Sequence, residues 1–241
     1  MGIEFAAPAA RINDQWVINL MPVHSSRQRR KDARPQELLE AALALFVEKG
    51  FAATRSEEVA QRAGVSKGTL YLYYPSKEEL LKAVVQSTLA VEVAEGARLL
   101  DAHQGTSTDA LLGPLVDWWI RVYNSPSSGV FKLLLTEMCN FPELAEFYAQ
   151  EVLEPGMGVM GRLLMQGVAR GEFRPMDIEM TVHSIAMPFV MMCVHKHSLG
   201  ACGFKDIQPE VFMRAHMHLL LSGFQGPGPT GARQLADPKA T

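Results

Sequence analysis

The chain has 241 residues, of which 48% are hydrophobic and 20% are charged, and its net charge is −3. This balance is typical of a soluble protein with a substantial core, and it excludes a chain that is disordered throughout. No continuous apolar run approaches the ~20 residues of a membrane span, and the N-terminus lacks the pattern of a secretory signal. We therefore expect a cytoplasmic protein with no membrane partner.

The N-terminal segment, residues 1–26, mixes alanine, proline and isolated apolar residues without a regular period. It predicts a disordered tail, in which Met21 is an alternative start to Met1. A basic run follows, and its Arg29 and Arg30 are candidate contacts of an N-terminal arm with a phosphate backbone or a minor groove. A tail that only improves solubility explains the same run.

The first predicted helix covers residues 34–49 and ends at Gly50, with apolar residues spaced to form one buried face. Residues 54–80, TRSEEVAQRAGVSKGTLYLYYPSKEEL, predict two short helices joined by a tight turn and followed at once by a third. Thr54 begins the first of these helices, because it has the spacing of a capping box with the glutamate three residues later. Gly64 ends that helix. The pattern is that of a helix-turn-helix.

The second short helix is capped by Ser66 and has an outward face suited to nucleic acid. Leu70 is expected to turn inward, while cations and hydroxyls on the other side supply phosphate contacts and hydrogen bonds to base edges. Gly68, which costs a helix about 1 kcal/mol relative to alanine, would allow close backbone approach to DNA. The candidate DNA contacts are Lys67, Gly68, Thr69, Tyr71, Tyr73 and, in the third helix, Lys77. A solvated lysine face over core aromatics is the alternative.

The stretch AGVSKGTLYLYYPSKEEL, preceded by LLEAALALFVEKGFAATRSEEVA, closely resembles the N-terminal domain of the tetracycline-repressor (TetR/AcrR) family of bacterial regulators. The resemblance covers residues 34–85 and includes the helix starts, the turn glycine and the aromatic pair. It implies a homodimeric, all-helical, ligand-responsive repressor that reads an operator in the major groove through residues 66–73. It also places operator contacts at Thr54, Lys67, Thr69, Tyr71, Tyr73 and Lys77.

The charge is divided unevenly along the chain. Residues 27–82 contain eleven cations and eight acids, a charge of +3, which leaves −6 for the rest of the chain. A basic module attached to an acidic body suits a protein that presents one face to phosphate, and it predicts salt-sensitive binding.

The remaining chain predicts further helices and no strand. One helix is expected to run from residue 76 to residue 100 and to connect the two parts of the protein. Further helices are predicted at residues 109–124, 129–139, 142–170 with an interruption at Pro155 and Gly156, 177–197 and 208–223. Residues 225–241 are expected to form a disordered tail.

Eleven of the thirteen methionines lie at or after Met138. Flexible methionines and rigid aromatics suit a cavity for an apolar or aromatic small molecule, although core packing explains any one of them. Trp118 and Trp119 cannot both face one side of a helix, so one is expected in the core or pocket and the other at a boundary. Glu137 is the candidate contact for a polar or cationic ligand group. The candidate ligand-binding residues are Trp118, Tyr123, Phe131, Glu137, Met138, Phe141, Met160 and Met187.

The last two predicted helices, residues 177–197 and 208–223, are apolar on more than one face and must be buried on nearly all sides. The family resemblance implies that this pair forms a four-helix interface between two subunits. A homodimer also suits a palindromic operator, because two recognition helices must reach half-sites about 34 Å apart or a multiple of that distance.

The cysteines and histidines predict no metal site. Cys193 and His197 share one helical face, but His195 points elsewhere and Cys202 lies beyond a glycine-containing turn. A metal- or thiol-responsive regulator of the same fold is an alternative function. Because the sequence shows no nucleophile elbow, phosphate loop or zinc-protease motif, we predict neither an enzyme nor a cofactor. A non-specific DNA-packaging protein is a further alternative.

The sequence thus predicts an all-α protein with two domains. A three-helix DNA-binding domain with a helix-turn-helix is expected at residues 27–82, followed by a larger helical ligand-binding and dimerisation domain at residues 83–224. The predicted function is that of a ligand-responsive transcriptional repressor, which binds a palindromic operator as a dimer and is released by an apolar or aromatic small molecule.

Overall fold

The computed structural model describes residues 26–198, 200 and 207–225. The predicted tails were residues 1–26 and 225–241; apart from Ser26 and Gln225, which are helical, they lie outside the described residues, as does Cys202. Over the described residues the fold is all-α, as predicted, and contains no strand. The described residues from Pro35 onward form one compact unit, and the residues up to Arg34 are separate from it.

The helices follow one another through short connections, and three of them pass through a wider π-helical turn. In chain order they are α1 (Ser26–Lys49), α2 (Ser56–Arg62), α3 (Lys67–Tyr73), α4 (Lys77–Val85), π1 (Gln86–Ala90), α5 (Val91–Asp101), α6 (Ser107–Ala110), π2 (Leu111–Leu115), α7 (Val116–Asn124), α8 (Ser128–Glu137), α9 (Pro142–Tyr148), π3 (Ala149–Leu153), α10 (Glu154–Ala169), α11 (Ile178–His197) and α12 (Pro209–Gln225).

Helix α1 begins at Ser26, upstream of the predicted start at residue 34, and passes through Pro35. Arg29 and Arg30 therefore lie on helical backbone rather than on an extended arm. Proline fixes φ at a helix-compatible value, so the helix can continue past it where the lost hydrogen bond is tolerated. The proposed role of the two arginines in DNA binding stays a prediction.

Helices α2 and α3 form a compact pair on the C-terminal half of α1. Phe46 from α1, Val59 from α2 and Leu70 from α3 are all fully buried together, which confirms the inward orientation predicted for Leu70. Gly64 has a φ of +68° in the connecting turn, a left-handed conformation that favours glycine. The sequence therefore dictates the sharp angle between the two helices.

The helix after α3 is continuous from Lys77 to Asp101 through α4, π1 and α5, close to the predicted span of 76–100. A second prediction was wrong in detail, because the chain stays helical from Pro142 to Ala169 instead of breaking at Pro155. The π3 turn ends at Leu153, two residues before Pro155. A wider turn at that point accommodates a residue that has no N–H to donate.

Helix α11 packs against α8 and α10, and α12 packs against α7. By length and composition alone, α11 could cross a membrane, since it has 20 residues and a mean hydropathy of 1.3. The expectation that no segment was long enough overlooked this helix, because scattered polar residues divide its apolar run. Core helices of soluble proteins have the same length and composition, and α11 contributes Ile185, Phe189 and Cys193 to the buried core.

Candidate DNA-reading face and effector cavity

The outward face of α3 is formed by side chains that make few contacts with the core. Ser66 caps the helix by accepting a hydrogen bond from the Thr69 N–H at 3.1 Å, as predicted. Beyond this cap, Tyr71 is 38% exposed and Leu72 is 78% exposed. Sequence reasoning missed Leu72, although its place next to Tyr71, which was predicted to face outward, was a usable signal. A large apolar side chain exposed in the last turn of such a helix is a candidate contact for a thymine methyl group.

Lys67 is held in position by its neighbours on this face. Its ammonium group pairs with Glu57 of α2 and lies 5.7 Å from the centroid of the Tyr71 ring. The hydrogen bond to Glu57 raises the pKa of Lys67, so the cation is retained. A β-carbon added at Gly68 would meet only the Ser66 hydroxyl, at 3.9 Å, so internal packing does not require a glycine there.

Two tyrosines at the end of α3 are partly buried. Tyr73 and Tyr74 both pack against the core, and the Tyr74 hydroxyl donates to the Pro35 carbonyl at 3.4 Å. Burial raises the pKa of Tyr74. Tyr74 thus packs inward, and Tyr73 is less available to DNA than Tyr71.

Thr54 is not placed as predicted. Helix α2 begins at Ser56 and is capped by Arg55, whose backbone N–H donates to the Glu58 carboxylate at 3.1 Å. Thr54 is 1% exposed, and its hydroxyl donates to the Gly50 carbonyl at 2.8 Å. The threonine stabilises the turn after α1 and is too buried to contact DNA.

Lys77 is also occupied inside the protein. Its ammonium group donates to the carbonyls of Phe51 at 2.9 Å and Thr54 at 3.1 Å, with Ala52 at 3.4 Å. It also lies 4.3 Å from the centroid of the Phe51 ring. These contacts tie the start of α4 to the loop between α1 and α2, which identifies Lys77 as a structural cation.

The helical body encloses an apolar cavity of about 80 Å³ between α5, α7, α10 and α11. Each π turn contributes to its lining, with Leu89 from π1, Leu115 from π2 and Val152 from π3. Of the predicted ligand-binding residues, Trp118, Phe131 and Met160 line this cavity. Both adjacent tryptophans reach it, contrary to expectation. The ring of Trp118 lies across Gly96, where a β-carbon would come within 2.7 Å of it.

Five predicted ligand-binding residues lie elsewhere. Tyr123 is buried beneath the Lys196 ammonium group, and Glu137 is buried at the end of α8, outside the cavity lining. Met138 packs partly buried against the core. Phe141 packs edge-on against Phe51 at 5.2 Å between centroids. Met187 is 62% exposed on α11.

Glu92 is the acidic cavity residue that the sequence did not reveal. It lies on α5, and its carbonyl accepts from the Trp118 indole N–H at 2.9 Å. Burial raises the pKa of its carboxyl group, and the opposing charge of Arg121 only partly offsets this. Sequence reasoning chose Glu137 instead, because both glutamates sit among apolar residues on a helix and periodicity does not show which face meets a void.

The cysteine and histidine cluster has a packing role. Cys193 is fully buried, which raises the pKa of its thiol to about 12. His197 shares a 2.8 Å hydrogen bond with the Ser128 hydroxyl. Among residues 26–198, 200 and 207–225, no group of three or more His, Cys, Asp or Glu side chains could hold a metal ion. A buried, protonated thiol is a poor nucleophile, so Cys193 does not support the thiol-responsive alternative.

Comparisons with known proteins agree with this geometry. A family model described as bacterial regulatory proteins, tetR family, matches residues 38–84, which span α1 to α4. The uncharacterized HTH-type transcriptional regulator YfiR of Bacillus subtilis is 32% identical over 152 residues, covering 61% of this chain and 71% of that protein.

Two solved structures share the fold. The TetR family transcriptional regulator PfmR from Thermus thermophilus is 26% identical and has a TM-score of 0.63, over 77% of this chain and 97% of that one. The fatty acid degradation regulator FadR from Bacillus halodurans, at 22% identity, has a TM-score of 0.66 over 80% of this chain and 97% of that one. These relatives point to a regulator rather than to an enzyme. The chain belongs to the tetR family of bacterial regulatory proteins and is a helix-turn-helix transcriptional regulator.

Proposed function

We propose that this protein is a ligand-responsive repressor, which binds a palindromic operator as a homodimer in the cytoplasm and is released by an apolar small molecule. Residues 27–82 would be the DNA-binding domain, and residues 83–224 the ligand-binding and dimerisation domain. The observation that carries the proposal is a single helix that serves both parts. It starts at Lys77, directly after α3, and reaches the cavity with Leu89, Glu92 and Val93.

The proposed DNA contacts centre on the outer side of α3, where Tyr71 and Leu72 are exposed. Lys67 and Tyr71 would bind phosphate oxygens, and the Thr69 hydroxyl would add a hydrogen bond. Gly68 would allow close backbone approach, and Leu72 would meet a thymine methyl group. Arg29 and Arg30 would add backbone contacts from α1. Tyr73 would contribute only with the part of its ring that is exposed.

A ligand in the cavity would act on DNA affinity by moving the shared helix. Two further contacts join the proposed DNA-binding domain to the body. Helix α8 lies so close to α1 that a β-carbon on Gly129 would come within 2.6 Å of Val47. The ring of Phe51, after α1, packs against Phe141. A ligand that prefers the released arrangement a hundredfold supplies about 2.7 kcal/mol per site.

We expect Tyr71→Ala and Leu72→Ala each to lower operator affinity about tenfold or more, because a good base or phosphate contact supplies about 1–3 kcal/mol. Operator fragments selected from genomic DNA and tested by mobility shift, with excess unrelated competitor, provide the measurement. Replacing operator thymines by uracil removes only the methyl groups. This replacement should reduce the operator affinity of the native protein more than it reduces the affinity of the Leu72→Ala variant.

The control is Leu135→Ala, which removes another exposed leucine, on α8, and should leave DNA binding unchanged. Binding of the native protein that is no stronger than to competitor would contradict an operator-specific regulator. Equal sensitivity of native protein and Leu72→Ala to uracil would exclude the thymine contact.

The proposed dimer surface is the exposed apolar face of α11 and α12. Met180, Met187 and Met191 are each more than half exposed along α11, and Val211 and Leu219 are exposed along α12. A monomer seldom leaves a patch of this kind in water. Pairing the two helices with those of a second copy would cover it, which is why we assign α11 to an interface rather than to a membrane.

Met187→Asp is expected to convert the dimer to a monomer, because two desolvated carboxylates would face the apolar partner surface. Sedimentation at several protein concentrations would measure the change. Met165→Asp is the matched control, since Met165 is 52% exposed but lies on α10. An unchanged sedimentation profile for Met187→Asp would place the interface on another surface.

A further inference from the structure

The cavity in the body has a specific chemical character. Its walls are built from aliphatic, aromatic and methionine side chains, and Glu92 is the one charged residue among the described residues that line it. A single carboxylate on an otherwise apolar wall costs free energy unless a partner compensates it. The identity of the cavity's ligand therefore depends on what that carboxylate is able to pair with.

Glu92 has weak compensation within the protein. Its nearest cation is Arg121, whose guanidinium lies 3.8 Å from the carboxylate and is itself 3.7 Å from Glu95. Arg98 makes closer hydrogen bonds to Glu95, at 2.9 Å. Burial outweighs Arg121 in its effect on the Glu92 carboxyl group, raising its pKa. Because Arg121 is distant and is shared with Glu95, the Glu92 carboxylate retains the capacity to bind a second cation from the cavity side.

A second, independent observation concerns the tryptophans. Trp119 lines the cavity, and its indole N–H is buried without a hydrogen-bond partner in the described structure. The equivalent group of Trp118 is satisfied by the Glu92 carbonyl. A buried donor left unpaired costs about 1–3 kcal/mol, and a bound molecule with an acceptor atom would recover this.

The remaining walls also favour a cation. Trp118, Trp119, Phe131 and Tyr148 surround the cavity, and their ring faces attract an organic cation. Met157 and Met160 lie in the same wall, and their flexible side chains allow the cavity of about 80 Å³ to widen around a larger body.

We propose that the effector of this protein is an organic cation: an amine or ammonium compound with an aromatic or aliphatic body, whose charge lies beside Glu92 and whose acceptor atom, where present, faces the Trp119 N–H. The proposal deepens the ligand-responsive function proposed above and rests on it. An anionic ligand would be repelled by the same carboxylate.

The test compares three probes with one skeleton, 4-phenylbutylammonium, 4-phenylbutan-1-ol and 4-phenylbutanoate, by titration calorimetry on the full-length protein at neutral pH. We expect the cation to bind at least about tenfold more tightly than the alcohol, and the carboxylate to bind most weakly. Glu92→Gln should reduce the affinity for the cation about tenfold and leave the affinity for the alcohol unchanged.

Two variants locate the binding. Glu95→Gln removes a neighbouring carboxylate that lies outside the cavity lining, and it should preserve the preference for the cation. Ala97→Leu adds bulk to the cavity wall at a helical position that tolerates leucine, and it should reduce the affinity for every probe that binds. Ala97→Leu is also informative should Glu92→Gln fail to fold.

The outcomes separate this inference from the function on which it rests. The proposal of a cationic effector would be wrong if the alcohol or the carboxylate bound as tightly as the cation and Glu92→Gln left the affinity for the cation unchanged. The cavity would then remain the proposed ligand site. Failure of all three probes to bind up to their solubility limits would overturn the cavity as an effector site, and the cationic effector with it.

Discussion

Phe189→Ala is expected to lower the free energy of unfolding by about 3–5 kcal/mol, the range for truncating a fully buried phenylalanine. Phe189 is 0% exposed on α11. Its ring lies 5.0 Å from Trp119 of α7 and 6.0 Å from His216 of α12. Removing the ring leaves a void where three helices meet, and the neighbouring backbone can only partly close it.

Urea denaturation at one fixed protein concentration measures this change, because dimerisation makes stability depend on concentration. Met165→Ala, at an exposed site on α10, is the control and should stay within about 0.5 kcal/mol of the native protein. A loss below about 1 kcal/mol for Phe189→Ala would mean that the three helices do not pack around this ring.

The second large effect distinguishes two lysines that look alike in sequence. Lys77→Ala should cost about 2 kcal/mol of unfolding free energy, because it removes a charged donor from a partly buried turn and leaves carbonyl groups of that turn without this partner. Lys67→Ala should change stability by less than about 1 kcal/mol, since its pairing with Glu57 lies on the surface.

For DNA binding the order is reversed, and Lys67→Ala should have the larger effect. If Lys67 neutralises one operator phosphate, Lys67→Ala reduces the slope of log affinity against log salt by about 1. Lys77→Ala should leave that slope unchanged when it is measured below the unfolding transition. A changed slope for Lys77→Ala, with native stability, would return that lysine to the DNA-reading face.

The all-α fold and the helix-turn-helix were predictable because their signals are local. Ser66 caps α3 through a hydrogen bond to a residue three positions away, Gly64 supplies a left-handed turn, and the inward position of Leu70 follows from helical periodicity. The continuous span from α4 to α5 was predictable for the same reason. Each of these features depends on contacts within a few residues of chain.

Other features were decided only in three dimensions, because they depend on groups far apart in sequence. Lys77 finds its acceptors in a loop 23 to 26 residues upstream, and this removes it from the surface that its sequence position suggested. Glu92 rather than Glu137 lines the cavity, on a wall where Trp118 of another helix lies across Gly96 and donates to the Glu92 carbonyl. The sequence by itself determined a helical regulator with a DNA-reading helix, since local propensity and capping specify helices. Only the tertiary structure decided which cations and carboxylates remain free to act, since burial and long-range hydrogen bonds set each group's partners.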